Sequence, residues 1–212
     1  MPKTNPSLGG TPNTNNLGRL TFLVDGIFAI TITLLVLDLR PPESGSTDFL
    51  QTLLAMLPRL LIYFIAFYSI ASYWVIHQRM FRYITAVDGT LTWLMIMQML
   101  FITLIPVSTA IVGRFPQQGP ALAFFSINSL LHATANWLFC AYAARHQKQF
   151  AAQTDARVLG ITSQIWLLVG ASFLISILLG YWNAYITYAS WILLPAIASS
   201  WGTARTRLLT KE

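Results

Sequence analysis

Two carboxylates, Asp25 and Asp38, flank the first long apolar segment of the chain, and residues 26–37 between them carry no charge. A carboxylate at the edge of a membrane span either attracts cations or takes a polar partner, because leaving it unpaired there is costly. Four residues between the acids share one helical face at the spacing i, i+3, i+4 and i+7: Ile30, Thr33, Leu34 and Leu37. A purely lipid-facing anchor needs neither the acids nor the threonine hydroxyls, although the same pattern also fits one ordinary helix of a bundle.

Composition places the whole chain in a membrane. Its 212 residues are 55% hydrophobic and only 9% charged, whereas a soluble domain carries about 25% charged residues. The single cysteine, Cys140, excludes an intrachain disulfide and suggests no cysteine-based metal site. The net charge of +6 comes from basic residues spread over several loops, so it favours a membrane topology signal over a nucleic-acid surface.

Six apolar segments predict an all-α polytopic membrane protein with six transmembrane helices. They lie at residues 19–39, 49–76, 91–112, 121–144, 158–180 and 182–201. Residues 1–18 are rich in Pro, Gly, Asn and Thr, which predicts a disordered tail. The domain division is therefore a tail at 1–18, a transmembrane domain at 19–201 and a short basic tail at 202–212.

Lysine and arginine are distributed unevenly between the two sides of this arrangement. One side holds most of them: Lys3, Arg19, Arg79, Arg82, Arg145, Lys148, Arg157, Arg205, Arg207 and Lys211. The opposite loops hold Arg40 and Arg114, and Arg59 lies within the second span. Because cytoplasmic loops carry the excess of basic residues, both termini are predicted to be cytoplasmic.

Asp25 is predicted to belong to a polar network at the cytoplasmic end of the spans. Its expected partners are the basic groups near the same membrane face: Arg19, His77, Arg79 and Arg82. The network is either a structural device that holds the first helix against its neighbours or a cation-attracting element at an inner mouth, and both roles are compatible. His77 has no second histidine at metal-ligand spacing, so a structural histidine is favoured and no metal site is expected.

The fourth span carries a polar stripe at i, i+4 and i+8, made by Asn128, His132 and Asn136. Such a stripe either lines a transport path or supplies hydrogen bonds between helices. Enzyme signatures are missing from the sequence: it has no phosphate-binding glycine loop, no nucleophile elbow and no HExxH zinc pair. It also lacks the TVGYG potassium filter and the repeated arginines of a voltage sensor.

Three segments resemble a known family, the transmembrane protein 175 family, whose members are potassium-permeable channels of lysosomes and, in single-repeat form, of prokaryotes. The first segment is Arg19-x-x-x-x-x-Asp25-Gly26-x-Phe28-Ala29-Ile30-x-x-Thr33-Leu34-Leu35-Val36-Leu37, which departs from the family at Leu23-Val24, where a Phe-Ser pair is usual. The other two are Pro58-x-x-x-x-Tyr63…Ile70-x-x-Tyr73-Trp74-x-x-His77-x-x-x-Phe81-Arg82 and Leu104-Ile105-Pro106-x-x-Thr109.

The resemblance implies a homotetramer in a prokaryotic plasma membrane, with the first helices around a pore that monovalent cations cross. Ile30 falls where the family has its constricting aliphatic residue, and Leu34 and Leu37 would add further apolar rings. Thr33 falls on the family's threonine and would form a hydroxyl ring. Asp38, at i+4 from Leu34, would add negative charge at the outer mouth. The permeating ion would be potassium, and no cofactor is expected.

Two other functions remain open at this stage. One is a proton- or ion-coupled secondary transporter that uses Asp25 and the polar stripe of the fourth span. The other is a membrane scaffold or sensor without conduction. Unitary current steps in a planar bilayer distinguish a channel from a transporter, and a tetramer in detergent favours the channel.

Overall fold

The structure, a computed structural model, describes residues 14–39, 48–146 and 153–209. The first helix, α1 (Thr14–Leu34), continues into a 3-10 turn at Leu35–Asp38. The other helices follow in chain order: α2 (Phe49–Phe81), α3 (Gly89–Thr103), α4 (Ile105–Arg114), α5 (Gly119–Arg145), α6 (Gln153–Trp182) and α7 (Ala184–Leu209). The all-α prediction is confirmed, with each predicted span represented by helix.

Four helical segments of the described chain are long and apolar enough to cross a membrane: Asn16–Asp38, Phe49–Phe81, Gly89–Arg114 and Arg157–Trp182. They correspond to the predicted first, second, third and fifth spans. The helices at the fourth and sixth positions, α5 and α7, do not reach that level of apolarity. In α5 the reason is visible in the sequence, because serine, asparagine and histidine interrupt its apolar residues.

The first and last helices extend into the segments that the sequence analysis assigned to the tails. Helix α1 already begins at Thr14, and α7 continues through Leu209 instead of ending at Trp201. Residues 1–13, which were predicted to be disordered, lie outside the described residues, as do residues 40–47, 147–152 and 210–212. Arg40, one of the two basic residues assigned to the outer loops, is therefore not described.

Side-chain caps fix where three of the helices begin. Asp48 accepts a hydrogen bond from the Leu50 amide at 3.0 Å, and Asn183 accepts one from the Tyr185 amide at 2.9 Å. Asp88 accepts from the Leu91 amide at 2.8 Å. These caps satisfy amide groups that have no partner in the first turn of a helix, so the sequence defines these boundaries locally.

The third predicted span is broken at Leu104 into α3 and α4. Pro106 follows the break and has no amide hydrogen, so it cannot donate to a carbonyl of the preceding turn. The Asn128 side-chain amide of α5 donates to the Phe101 carbonyl, in the last turn of α3, at 3.0 Å. A polar side chain of the neighbouring helix therefore supports the broken turn, which is how interrupted helices are tolerated in membranes.

Helix α5 is the centre of the subunit core. Its buried residues pack against α3 on one side and α6 on the other, and the largest fully buried side chains include Phe125, Phe139, Trp166 and Phe173. Helix α1 lies at the edge of this core and contributes Leu20, Val24, Phe28 and Leu35 to it. An edge position leaves the remaining faces of α1 uncovered by the rest of the subunit.

Candidate functional site

Helix α1 has one face that binds it to its own subunit. This face is formed by residues spaced by three and four positions, all of them nearly inaccessible: Leu20, Val24, Phe28, Thr31 and Leu35. That spacing is the period of an α-helix, so the same face points inward over the whole length of α1. The rotation of α1 about its axis is therefore determined by packing against α2, α3 and α4.

The predicted pore face is turned away from the subunit core. Ile30 is 61% exposed, Leu34 43% and Leu37 58%, and Thr33 between them is also exposed. The structure thus brings all four residues onto one uncovered, largely apolar surface, as the helical spacing predicted. Their role in conduction stays a prediction, because a single subunit encloses no pore.

The Thr33 hydroxyl is oriented by its own helix. Its Oγ1 donates a hydrogen bond to the Ile30 carbonyl at 2.8 Å. Because this bond uses the single hydroxyl hydrogen, the oxygen faces its surroundings with lone pairs only. An oxygen in that state can accept a hydrogen bond from water or bind a cation, which is the chemistry expected of a hydroxyl ring.

The 3-10 turn at Leu35–Asp38 changes which residues share a face at the outer end of α1. A 3-10 helix advances about 120° per residue, so residues three apart are superimposed when viewed along the axis. Leu37 therefore lies directly above Leu34, whereas Asp38 lies above the buried Leu35. In a continuous α-helix, which advances about 100° per residue, Asp38 would have been about 80° closer to the Leu34 face.

Asp25 connects α1 to α2 through uncharged partners. Its Oδ1 accepts hydrogen bonds from Trp74 Nε1 at 3.0 Å and from Gln78 Nε2 at 3.2 Å. Trp74 and Gln78 are one turn apart on α2, so both reach the same carboxylate. Sequence reasoning identified Asp25 as needing partners but missed these two, although their i, i+4 spacing was a usable signal.

The other members of the predicted inner-mouth network lie elsewhere. His77 is buried between the rings of Phe28, at 5.8 Å, and Phe81, at 4.7 Å between centroids. Arg19 and Arg82 are exposed. Among the described residues, none of the three bonds to Asp25, and no group of three or more His, Cys, Asp or Glu could hold a metal ion.

Asp88 is a second interhelical carboxylate, which the sequence analysis did not single out. It is buried at the start of α3, where Oδ1 caps the helix, and its Oδ2 accepts a hydrogen bond from the Tyr142 hydroxyl of α5 at 2.8 Å. The Asp-Gly-Thr sequence before an apolar run signals the cap. The bond to Tyr142 has no local signal, because 54 residues separate the two.

The polar stripe of α5 is buried inside the subunit. Asn128 bonds to the Phe101 carbonyl of α3, and the Asn136 amide donates to the His132 carbonyl of its own helix at 2.9 Å. The His132 ring lies 4.5 Å from Tyr73 and 5.5 Å from Trp166, measured between centroids. These contacts are those expected of helix–helix packing.

Comparison with known proteins supports the resemblance seen in the sequence. The family described as "Endosomal/lysosomal potassium channel TMEM175" matches residues 19–106. A protein named potassium channel from Streptomyces collinus is 28% identical over 181 residues, which are 83% of this chain and 88% of that protein. Another of that name, from a Chryseobacterium strain, is 32% identical over 118 residues, 56% of this chain and 60% of the relative.

Residues 19–106 of the chain are similar to the TMEM175 family. A crystal structure of a TMEM175 homologue from Chamaesiphon minutus, described as a lysosomal potassium-selective channel homologue, has the same fold, with a TM-score of 0.78 at 22% identity. The alignment covers 89% of this chain and 98% of that one. The TMEM175 match in residues 19–106 includes α1, with its exposed apolar face, and α2, with the partners of Asp25.

Proposed function

We propose that the chain is one subunit of a homotetrameric, potassium-permeable leak channel, with four copies of α1 around the pore. The observation that supports this most is the exposed apolar face of α1. Ile30 is 61% exposed and Leu37 58%, on a helix whose other side is packed into its subunit. The similarity to proteins named potassium channels indicates what such a face is for.

The barrier in this proposal is a hydrophobic constriction. Four copies of Ile30, Leu34 and Leu37 form stacked apolar rings, with Leu37 above Leu34 because of the 3-10 turn. A narrow apolar ring expels water and blocks ions unless it widens. An ion that passes the open ring loses part of its hydration shell, and potassium loses it more readily than sodium.

Thr33 supplies the polar element of the constriction. Its hydroxyl hydrogen is bonded to the Ile30 carbonyl, so four Thr33 oxygens turn lone pairs toward a passing cation. These oxygens replace a part of the lost water only, because the ring offers far fewer ligands than a filter of backbone carbonyls. Selectivity for potassium over sodium is therefore modest.

All six helical segments cross the plasma membrane of a prokaryote in this proposal, with both termini in the cytoplasm. The two less apolar helices, α5 and α7, can do so because polar side chains inside a membrane are tolerated where they face protein. In α5 the residues Asn128, His132 and Asn136 are all at most 5% exposed. The distribution of Lys and Arg assigns the orientation.

The two carboxylates of α1 have different roles in the channel. Asp25, bonded to Trp74 and Gln78, sets the position of α1 against α2 at the inner mouth. The exposed cations Arg19 and Arg82 belong to the same mouth but do not bond to Asp25. Asp38 contributes negative potential at the outer mouth from beside the pore face, since the 3-10 turn places it above Leu35. His77 acts as a packing residue in this arrangement.

A transporter would need a polar pathway through the subunit, and none of our observations favours one. The stripe on α5 is used in contacts with α2, α3 and α6, and the carboxylate of Asp25 is bonded to α2. The channel proposal is tested by recording purified protein in a planar bilayer under a potassium gradient. Unitary steps that reverse near the potassium equilibrium potential support it, whereas flux without steps contradicts it.

A further inference from the structure

A small, partly enclosed cavity lies between α2, α6 and α7. It has room of about 30 Å³ for water-sized molecules, whereas about 10–15 Å³ measured in this way holds one water. Its polar lining comes from Ser69, Ser72 and Tyr73 of α2 and from Trp166 of α6. Pro195 and its neighbours close the side formed by α7. The cavity is thus too small for a lipid chain but large enough for an ordered water.

Trp166 brings a donor without a protein partner to this cavity. The residue is 1% exposed, and its Nε1 is buried without a hydrogen-bond partner among the residues the structure describes. The indole packs against the ring of Tyr73, with centroids 5.7 Å apart, and against the ring of His132, at 5.5 Å. Burying an N–H group without a partner costs about 1–3 kcal/mol, so a partner is expected.

Helix α7 has a backbone carbonyl beside this cavity that lacks its usual helical donor. Pro195 lies inside α7 and has no amide hydrogen, so it cannot donate to the Trp191 carbonyl four residues earlier. Trp191 and Pro195 both line the cavity. On the opposite side, Ser69 Oγ donates to the Ile65 carbonyl at 2.8 Å, which leaves its lone pairs to accept a hydrogen bond.

We propose that the cavity binds one ordered water molecule that bridges α6, α7 and α2. The water accepts a hydrogen bond from Trp166 Nε1 and donates to the Trp191 carbonyl and to Ser69 Oγ. Three hydrogen bonds are typical of a buried water, and they satisfy the indole donor and the carbonyl left by Pro195. This site lies within one subunit and does not depend on the proposed pore.

The direct test is a density map of the full-length protein in lipid nanodiscs at a resolution that reveals ordered water. We expect a single peak at about 2.7–3.2 Å from Trp166 Nε1, and its loss in Trp166→Phe, which keeps the aromatic ring but removes the donor. Three results would overturn the proposal: an indole N–H bonded to a protein atom, a cavity without a density peak, or elongated density from a lipid.

A stability cycle tests the bridge without relying on the map. Pro195→Ala supplies an amide donor to the Trp191 carbonyl and so takes one of its two acceptors from the water. The water should then be held more weakly, and Trp166→Phe should lower the melting temperature less in that background than in the wild type. The difference expected is about 2–4 °C, the effect of one hydrogen bond in a chain of this size. The control is Trp201→Phe, outside the cavity, which should lower the melting temperature equally in the wild type and in Pro195→Ala. If Trp166→Phe also lowers the melting temperature equally in these two backgrounds, the bridge is refuted.

Discussion

Asp25 is the residue whose environment differs most from what its position in the sequence suggested. We expected basic partners, but Trp74 and Gln78 provide uncharged donors at 3.0 Å and 3.2 Å. A carboxylate bonded in this way acts as an acceptor that joins two helices. The charge is tolerated because Asp25 is only half-buried and accepts two hydrogen bonds.

Removal of the Asp25 acceptor should therefore destabilise the subunit. We expect Asp25→Ala to cost about 1–3 kcal/mol, because the Trp74 and Gln78 donors lose their partner, and to lower the fraction of tetramer. Asp25→Asn keeps one acceptor oxygen and should cost less. Thermal unfolding and size-exclusion profiles of both variants test this, and an Asp25→Ala protein that melts and assembles like the wild type would refute it.

The Thr33 hydroxyl offers a test at the level of one oxygen. Thr33→Ala removes a lone-pair ligand from the pore face but leaves the apolar residues, so potassium selectivity should fall with a smaller change in conductance. Thr103 is a matched control, since it is also exposed and also donates to its own helix, at 2.8 Å to Leu100. Reversal potentials that shift equally for Thr103→Ala and Thr33→Ala would exclude a specific role for Thr33.

At the scale of single elements, the 3-10 turn determines which side chains end the proposed pore face. Cysteine at position 37 should lie above Leu34, so a Leu37→Cys tetramer would present four thiols to external cadmium and be blocked. Asp38→Cys should be insensitive, because its thiol lies above Leu35, and Leu34→Cys is the positive control for the face. Block of Asp38→Cys as well as Leu37→Cys would mean that α1 continues as an α-helix, in which both residues lie near the Leu34 face.

The two aspartate caps provide a second test on elements. Asp48 is exposed and caps α2, whereas Asp88 is buried, caps α3 and also accepts from Tyr142 of α5. Loss of a cap alone costs about 0.5–2 kcal/mol. Asp88→Ala should lower the melting temperature more than Asp48→Ala, and Tyr142→Phe should account for part of the difference. Equal effects of the two alanine variants would refute the α3–α5 link.

The sequence predicts those features that depend on residues close together in the chain. The face of Ile30, Leu34 and Leu37 has a helical period, and the caps use residues a few positions apart, so both were accessible to pattern reasoning. The partners of Asp25 and Asp88 lie 49 to 54 residues away, and their identity depends on how α2 and α5 are rotated in the fold. The 3-10 turn lies at the end of the helix, three residues before Pro41-Pro42. The prolines predict that the helix stops there, but they do not predict that its last turn is 3-10.

At the scale of the whole molecule, the proposal requires four subunits and a defined orientation in the membrane. We expect native mass measurement in detergent to give a tetramer. A reporter fused to the C-terminus should be active in the cytoplasm, as the distribution of Lys and Arg predicts. A stable monomer or dimer that conducts would contradict the assembly, and a reporter active only in the periplasm would contradict the topology.

The central claim is that Ile30 lines the constriction. The decisive measurement is the reversal potential and conductance of Ile30→Asn channels under opposed potassium and sodium gradients. Four amides in place of four sec-butyl groups should let water into the ring. Conductance should therefore rise, and the permeability ratio of sodium to potassium should increase. Leu35→Met, at a site 1% exposed on the opposite side of α1, is the control and should change little. Ile30→Asn channels with wild-type conductance and reversal potential, alongside altered Leu35→Met channels, would contradict the assignment of the pore face.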